Sequence, residues 1–371
     1  MHASVHRFTL TDPGDASPLH HAINSGVVDA RDIVAVIGKT PGNGLVNDYT
    51  RGYLTQSLAL LIGEYTGEHR DAVTARVPFI FSGGTEGVLT PHISVLCVTQ
   101  DGADDGSPDT PSLAIATAIT APLGAEAIGR MGQVQATASA VRDAMRRARI
   151  ERTEDVHFVQ VKGPCLTAAA MSAARAQGIA TGGTTPDQSM AYSRVASAFG
   201  VALALGEISA DAFSEDMMLR DFSHYSSVAS CSSGVEVSAN EIVVIGNSRH
   251  WQGPWHIAHH PMQDALDMHG IHALLADLGL TAQPQLSAAD QARLGAVFVK
   301  CEADRSGLVR GQPHTMLNDG DMNVQRHIRG ALGALVAGVT GDTRLFVSGG
   351  AEHQGPDGGG FIAAIARKTG H

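Results

Sequence analysis

The sequence predicts an α/β protein of three structurally similar β-α-β-α-β-β units around a pseudo-threefold axis, forming a central β-barrel covered by helices. Three observations carry this prediction. A motif of Ser, a small residue, Gly, any residue and Glu occurs at 82–86, 232–236 and 348–352. A β-type run ending in lysine precedes each copy, and an arginine-bearing helix lies between the two. A single unit could not bury its own apolar faces, so three units would pack around a shared core.

Two polar segments rich in glycine and proline divide the chain. The first covers 100–111 (QDGADDGSPDTP) and the second, which is weaker, covers 248–254 (SRHWQGP). Such composition is typical of linkers. The predicted units are therefore 1–103, 112–247 and 255–371, called the first, middle and third segments below.

Each segment opens with a strand and an amphipathic helix. The opening strands are predicted at 4–10, 112–120 and 255–259, and the helices at 18–25, 126–150 and 262–280. Strongly β runs then end at Lys39, Lys162 and Lys300. The closing strands are predicted at 92–99, 241–246 and 361–368.

The second helix of each segment carries an arginine at or near its start. These residues are Arg51, Arg194 and Arg326, and Thr50 and Ser193 are the predicted helix N-caps. In the predicted geometry, the lysine, arginine and serine of all three segments converge on the axis.

Composition limits the possible partners. The chain has 371 residues, of which 43% are hydrophobic and 17% charged, as expected for a globular protein with a sizeable core. Its formal charge of −11 argues against nucleic acid as the main partner. The longest nearly apolar run, 195–206, is too short to span a bilayer.

The cysteines indicate a reducing compartment. Cys97, Cys165, Cys231 and Cys301 lie far apart without CxxC spacing, which favours free thiols over a disulfide framework. The N-terminal residues show no charged region followed by an apolar one. A cytoplasmic protein is expected.

The repeated lysine and serine predict nucleophilic chemistry. A serine hydroxyl needs a base, and lysine can serve once its pKa is depressed by burial and neighbouring cations. Arginine offers a planar fork of donors for carbonyl or enolate oxygens, and glycine lets backbone N–H groups approach an oxyanion. One copy would be read as a turn beside solvated charges, but three matching copies favour a site.

Other nucleophiles and cofactors are possible from the residues alone. Cys231 and Cys301 adjoin Ser232 and Lys300, although only serine occurs in all three copies. A cluster at His256, His259 and His260 suggests zinc, so a metal-dependent amidohydrolase stays open, but HExxH spacing is missing. A protein that binds small anionic rings without turning them over is a third alternative.

Several long motifs resemble the cyanuric acid hydrolase/barbiturase family of cyclic amide hydrolases. The similar stretches are IVAVIGKTPGNGLVNDYTR (33–51), SGGTEGVLTPH (82–92), DVHFVQVK (155–162), YSRVASAFGVALALGEISAD (192–211), YSSVASCSSGVE (225–236), VRGQPHTMLNDGDMN (309–323) and SGGAEHQGPDGGG (348–360). The resemblance covers essentially the whole chain. It implies three similar units around a pseudo-threefold barrel, assembled as a homotetramer.

The resemblance also assigns roles that the internal repeat leaves open. It implies that Ser232 is the nucleophile and Lys162 its base, with no catalytic cofactor. The implied substrate contacts are Arg51, Ser82, Gly83, Arg194, Ser232, Ser233, Arg326, Ser348 and Gly349, with Lys39 and Lys300 completing the outer pairs.

A structural divalent metal, Mg²⁺ or Ca²⁺, is implied as well. Its ligands would be the Glu302 side chain and backbone around Ala351, Gln354, Gly355, Pro356 and Gly359. One carboxylate with carbonyls from a Gly/Pro-rich loop is a set of hard oxygen ligands that suits either ion.

Departures from the family pattern bear on the choice of ring. Where the pattern of cyanuric acid hydrolases has Lys-Cys-Pro-Leu-Leu-Thr, this chain has KGPCLT (162–167), and where the pattern has Ser-Ala-Gly, it has SSG (232–234). Likewise, QR (325–326) replaces Thr-Arg, and PGNG (41–44) replaces Glu-Gly-Asn-Gly. These changes favour another planar cyclic imide. Barbituric acid, opened to ureidomalonate, is the expected substrate, and cyanuric acid, opened to carboxybiuret, is the alternative.

Overall fold

The strands form three four-stranded sheets that share one strand order. The computed structural model describes residues 1–100 and 110–369, so nearly all of the predicted first linker lies outside the described residues. The strands of the first sheet are β1 (His2–Thr9), β2 (Ile33–Thr40), β3 (Phe79–Gly83) and β4 (His92–Thr99). Those of the second are β5 (Ser112–Ile119), β6 (Val156–Pro164), β7 (Ala229–Gly234) and β8 (Glu241–Ser248). Those of the third are β9 (Trp255–Met262), β10 (Leu294–Cys301), β13 (Phe346–Ser348) and β14 (Gly360–Arg367).

Each sheet has the same connectivity. The orders are β1-β4-β2-β3, β5-β8-β6-β7 and β9-β14-β10-β13. In each, the strand that ends near the lysine pairs in parallel with the serine strand and antiparallel with the closing strand. A two-stranded ribbon of β11 (Leu308–Val309) and β12 (Gln312–Pro313) stands apart. The strand pairing among described residues does not join the three sheets, so the predicted closed barrel is not seen.

Helices connect the strands of every sheet. The α-helices are α1 (Ser17–Asn24), α2 (Tyr49–Thr66), α3 (Arg70–Arg76), α4 (Met131–Arg147), α5 (Ala168–Ala176), α6 (Pro186–Leu205), α7 (Met268–Asp277), α8 (Ala288–Gln291) and α9 (Val324–Thr340). Short 3₁₀ turns cover Thr153–Asp155 and Glu215–Met217. No helix within the described ranges is long and apolar enough to cross a membrane.

The predicted N-caps Thr50 and Ser193 are wrong. Asp48 caps α2 by accepting a hydrogen bond from the Thr50 backbone N–H, and Thr185 caps α6. Ser193 instead lies buried inside α6, where its hydroxyl accepts a hydrogen bond from the Gln133 amide. Helix α6 begins earlier than expected because Pro186, which suits the first turn of a helix, directly follows a threonine cap.

The predicted helix over 262–280 is also too long. Strand β9 runs to Met262, and α7 begins only at Met268, where Asp267 accepts a hydrogen bond from the Gly270 backbone N–H. Pro261 is tolerated within β9 because this strand is at the edge of its sheet. The extended strand places three histidines on a sheet and not on a helix.

All three sheets contribute to one hydrophobic cluster. Residues of β1 and β2, most of the middle sheet, and residues of β10, β13 and β14 pack there together. At its centre the Phe158 ring stacks on Phe298 with 4.4 Å between the ring centroids. The first and third sheets each cover their other face with helices in a separate cluster. The lysine ends of the three segments are therefore held near one another by apolar packing.

Candidate functional site

Parallel strand pairing puts a lysine beside a serine in each segment. Lys39 is the register partner of Ser82, Lys162 of Ser232, and Lys300 of Ser348. All three lysines are buried, although each lies within two residues of the end of its strand, where solvent exposure is common. The structure therefore brings together each pair that the repeat predicted.

The two outer pairs are alike. Lys39 Nζ donates to Ser82 Oγ at 3.1 Å and to the Gly83 carbonyl at 3.2 Å. Lys300 Nζ donates to Ser348 Oγ at 3.1 Å and to the Gly349 carbonyl at 2.9 Å. In both pairs the amine is held between the serine hydroxyl and the next carbonyl.

The middle pair is different. Lys162 Nζ lies 2.7 Å from Glu236 Oε1 and donates to the Phe81 carbonyl at 3.4 Å. Ser232 Oγ is buried and has no hydrogen-bond partner within the described part of the chain. Ser232 is thus the one serine of the three whose hydroxyl is not engaged by its lysine.

Lysine contacts also cross between segments. Lys162 of the middle segment reaches the carbonyl next to Ser82, and Lys300 of the third segment reaches the Cys231 carbonyl next to Ser232 at 2.7 Å. These contacts bring the middle Lys–Ser pair next to both outer pairs.

The glutamate that closes each serine motif pairs with an arginine of another segment. Arg51 Nε lies 2.6 Å from Glu236 Oε1, and Arg194 Nε lies 2.9 Å from Glu352 Oε2. Each arginine makes a second contact to the other oxygen of the same carboxylate. The sequence analysis assigned no role to these glutamates, although a glutamate at the same position in all three copies of the motif indicates a shared function.

Arg329, and not Arg326, completes this pattern in the third segment. Arg329 is buried and grips Glu86 through two contacts, of 2.9 and 2.7 Å. The Arg326 side chain is 43% exposed and reaches the same carboxylate through one contact of 3.2 Å. Arg329 was missed because it lies one turn further into α9. Its distance of 12 residues from the capping Gly341 equals that from Arg194 to the capping Gly206.

Burial dominates the lysine pKa values. It lowers the pKa of Lys39 well below the ordinary value, with Arg329 adding to the effect, and it lowers the pKa of Lys300 to about 8. Burial also lowers the pKa of Lys162, but Glu236 opposes that shift. Burial alone would raise the pKa of Glu236; Lys162 and Arg51 outweigh it and hold the pKa at about 2.

Glycines let the serine turns pack closely against polar side chains. A Cβ at Gly83 would lie 1.7 Å from Asp48 Oδ2, and one at Gly349 would lie 2.4 Å from Gln325 Oε1. Gln325 Oε1 also accepts from the Gly350 backbone N–H. Ser233 is turned away from this region, because its hydroxyl donates to the Met190 carbonyl at 2.8 Å.

The loop around the implied metal ligands fits a hard cation. Glu302 Oε2 is buried without a hydrogen-bond partner among the described residues, while its Oε1 lies 2.6 Å from Arg305. Burial and the nearby Glu352 raise the pKa of Glu302 to about 8. Such an orphaned oxygen is a ready cation ligand.

Backbone of the same loop folds back on Glu302. The Gly359 carbonyl accepts from the Glu302 backbone N–H at 3.2 Å. Ala351 and Pro356 each supply a carbonyl that accepts one backbone hydrogen bond, from Gln354 and Gly359 respectively. A carbonyl has a second lone pair, so these groups can also face a cation. Gly355 follows Gln354 with a left-handed φ of +91°.

The histidines of β9 do not form one site. Because side chains alternate along a strand, His256 and His260 project from one face of β9 and His259 from the other. His259 Nδ1 is 2.9 Å from His157 Nδ1. Over residues 1–100 and 110–369, no three His, Cys, Asp or Glu side chains are grouped to hold a metal ion.

The neighbouring cysteines are poor nucleophiles. Both Cys231 and Cys301 are fully buried, and burial raises the pKa of each thiol to about 12. A thiol with such a pKa carries very little thiolate near neutral pH. The geometry therefore favours serine chemistry.

Buried lysines paired with serines in glycine-containing turns are the components that a serine–lysine hydrolase site requires. The sequence matches the family described as amidohydrolase ring-opening protein over residues 4–367. The chain belongs to this family, whose members hydrolyse cyclic amides.

Similar proteins align with this chain over nearly their full length. A cyanuric acid amidohydrolase of a Pseudomonas species is 45% identical, covering 99% of this chain and 100% of the relative. A cyclic amide hydrolase of Azorhizobium caulinodans is 41% identical, with 99% and 100% covered. A solved cyanuric acid hydrolase superposes with a TM-score of 0.94 at 44% identity, and one from A. caulinodans with 0.90 at 45%, each covering 99% of both chains.

Proposed function

We propose that this protein opens the ring of cyanuric acid by hydrolysis, with Ser232 as nucleophile and Lys162 as its base. One observation carries the proposal: of three register-matched Lys–Ser pairs, only the middle one leaves its serine oxygen without a hydrogen-bond partner in the described chain. That oxygen is free to attack a carbonyl. Several relatives at 44–46% identity are named cyanuric acid amidohydrolases, which supports this ring.

A threefold arrangement of the site suits a threefold ring. Cyanuric acid has three equivalent carbonyls separated by three N–H groups. The shared strand order and the arginine–glutamate pairs between segments support a site to which each of the three segments contributes a similar part around one axis. We propose that Ser82 with Gly83 and Ser348 with Gly349 bind two carbonyls while Ser232 faces the third.

The departures from the family pattern point mostly away from the ring. The Ser233 hydroxyl donates a hydrogen bond to the Met190 carbonyl. A Cβ at Gly163 would lie 2.6 Å from the amide nitrogen of the buried Gln133 side chain. Pro41 is exposed. These changes are therefore weak support for barbituric acid, which was the expectation from sequence.

Barbituric acid is retained as a second candidate because of one contact. Gln325 touches Gly349 and Gly350, in the turn that would hold a ring carbonyl. This difference from the family pattern therefore lies where a different ring would be bound.

The reaction is proposed to begin with Lys162 turning from Glu236 to its register partner Ser232. The neutral amine takes the serine proton as Oγ attacks the ring carbonyl, and the leaving ring nitrogen takes that proton from Lys162. Water then attacks the ester and gives a proton to Lys162, which passes it to the departing serine oxygen, so that the Ser232 hydroxyl and a carboxylic acid are formed. Arg51, Arg194 and Arg329 are held by carboxylates, so their proposed part is to fix the turns and to add positive potential.

Three further features are proposals. Glu302 and the carbonyls of Ala351, Pro356 and Gly359 would hold a structural Mg²⁺ or Ca²⁺, which would neutralise a buried carboxylate beside the Arg194–Glu352 pair. A homotetramer stays a prediction from the resemblance, to be checked by light scattering. The four buried free thiols support a reducing, cytoplasmic setting.

Steady-state assays with both rings test the proposal. We expect a kcat/KM for cyanuric acid at least tenfold above that for barbituric acid. The reverse ratio would make barbituric acid the substrate. Tight binding of both rings without turnover would instead identify a non-catalytic ring-binding protein.

A further inference from the structure

The residue opposite the lysine on the closing strand differs among the segments. Lys162 pairs in register with Glu241, whereas Lys39 pairs with His92 and Lys300 with Phe361. Directly paired residues project from the same face of a sheet, about 5 Å apart at Cβ. Among the three lysines, the middle one alone therefore has a carboxyl group as its neighbour on the closing strand.

One carboxyl oxygen of Glu241 accepts no hydrogen bond from the described residues. Its Oε2 is buried and finds no hydrogen-bond partner within the described residues, while the carboxyl accepts from the Phe79 backbone N–H. Burial raises the pKa of Glu241 to about 8, and Lys162 opposes that rise. Near neutral pH this group can hold a proton or release it.

A cavity connects Glu241 with the outside. It has a volume of about 430 Å³ and lies between α2, α3 and the turn after β7, lined among others by Gly52, Thr55, Arg70, Thr74, Glu236 and Glu241. We call it the back cavity. Lys162 is only 2% exposed and does not line the back cavity, whereas Glu241 and Glu236, the latter 2.7 Å from the Lys162 amine, both line it.

Each turnover leaves a proton that must depart. Hydrolysis of the serine ester forms a carboxylic acid, and the proton of this acid passes to the lysine when the product leaves as an anion. An ordinary exposed ammonium group, with a pKa near 10.4, loses its proton to water on the order of once per second, because reprotonation is limited by diffusion at about 10¹⁰ M⁻¹ s⁻¹. Burial lowers the pKa of Lys162, which speeds this loss, but burial also keeps solvent water from the amine. Enzymes commonly turn over about 1–10³ times per second. A buried lysine base thus benefits from a relay.

We propose that Glu241 is a positioning residue that carries this proton from Lys162 to solvent through the back cavity. The step is a transfer from the Lys162 ammonium to the Glu241 carboxylate, giving a neutral amine and a neutral acid, followed by loss of the acid's proton to water in the cavity. No other reactant is needed. The inference rests on the proposed function, since it requires Lys162 to act as the base.

The charges that face the two groups are compatible with this route. Glu236 stays ionised beside Lys162 and is shared with Arg51, so it is a poor proton acceptor. Arg70 and Asp71 line the back cavity, where water can enter. His92, the equivalent residue in the first segment, has its pKa lowered to about 3 by burial and cannot accept a proton near neutral pH.

Chemical rescue provides the test. Glu241→Ala is expected to lower kcat 10- to 100-fold near neutral pH, with KM changed less than about twofold. Formate at 10–100 mM should restore kcat severalfold and saturably in this variant. Glu241→Gln, which fills the space but cannot relay, should be as slow and show no rescue. His92→Ala is the matched control and should not respond to formate.

Two results would overturn the relay. One is wild-type kcat in both Glu241 variants. The other is a loss in Glu241→Ala that no formate or buffer concentration relieves although its melting temperature matches that of the wild type, as for a structural role. Failure of the proposed function looks different: the wild-type protein would then turn over neither ring, or Ser232→Ala would stay active.

Discussion

The middle segment and its two neighbours have the same topology but different electrostatics. In the outer pairs the lysine donates to its serine at 3.1 Å. In the middle pair the lysine rests 2.7 Å from Glu236, and Ser232 is free of it. The residue paired with the lysine on the closing strand is a histidine in the first segment, a glutamate in the middle segment and a phenylalanine in the third. A few side chains are therefore enough to give one Lys–Ser pair of a shared topology a different hydrogen-bonding state from the other two.

The serines give the largest expected difference between the segments. Ser232→Ala should lower kcat by about 10⁴-fold, because the nucleophile is lost, whereas Ser82→Ala and Ser348→Ala should lower kcat/KM by about 10–100-fold through lost ring contacts. Steady-state kinetics on folded variants, matched by circular dichroism, measures this. Equal losses in all three variants would contradict a unique nucleophile.

The glutamates sharpen the comparison through stability. Glu236→Gln, Glu352→Gln and Glu86→Gln each remove the carboxylate of a buried ion pair, and each should lower the free energy of unfolding by about 3–5 kcal/mol. Glu236→Gln should lower it the most, because both cations paired with this carboxylate, Arg51 and Lys162, are buried, whereas Arg326, the second partner of Glu86, is 43% exposed. Denaturant unfolding of the three variants gives the order. A value within about 0.5 kcal/mol of wild type for Glu236→Gln would show that its pairs contribute little.

Lowering the pH should destabilise the folded protein through His92 of the first segment. Burial lowers the pKa of His92 to about 3 from 6.5, so the unfolded chain binds a proton before the folded protein does. Stability is then lost as the pH falls from about 6.5 towards 3, by about 2–3 kcal/mol at pH 4.5.

The control for this prediction is His92→Gln, which lacks the titrating group. Its free energy of unfolding should fall by about 2–3 kcal/mol less than that of the wild type between pH 7 and 4.5. Parallel curves for the two proteins would show that His92 is not held neutral in the fold.

Ser233 should have the smallest effect. Its hydroxyl bonds to the Met190 carbonyl, so Ser233→Ala is expected to lower the free energy of unfolding by about 1 kcal/mol and to leave the ratio of kcat/KM values for the two rings within about twofold. Gln325→Thr is the comparison variant, because Gln325 touches the Gly349 turn. A larger change of ring preference in Ser233→Ala than in Gln325→Thr would contradict the geometry.

Much of the site could be predicted because it repeats. The lysine-ended strands and the serine motifs gave the three pairs that the structure brings together, and the motif glutamates were visible without a role. Arg329 was missed because the expected arginine stood at the first turn of its helix. The caps of α2 and α6 were misplaced because local sequence offers several hydroxyl and carboxylate residues near each helix start.

The sequence by itself determined which residues recur, and hence that Lys39, Lys162 and Lys300 each accompany a serine. Only the tertiary structure decided which lysine meets a carboxylate, which arginine pairs with which glutamate, and where Glu241 stands. Side-chain periodicity is a local property of the chain. A hydrogen bond or a shifted pKa depends on groups that the fold brings together from distant positions, such as Arg51 and Glu236, 185 residues apart.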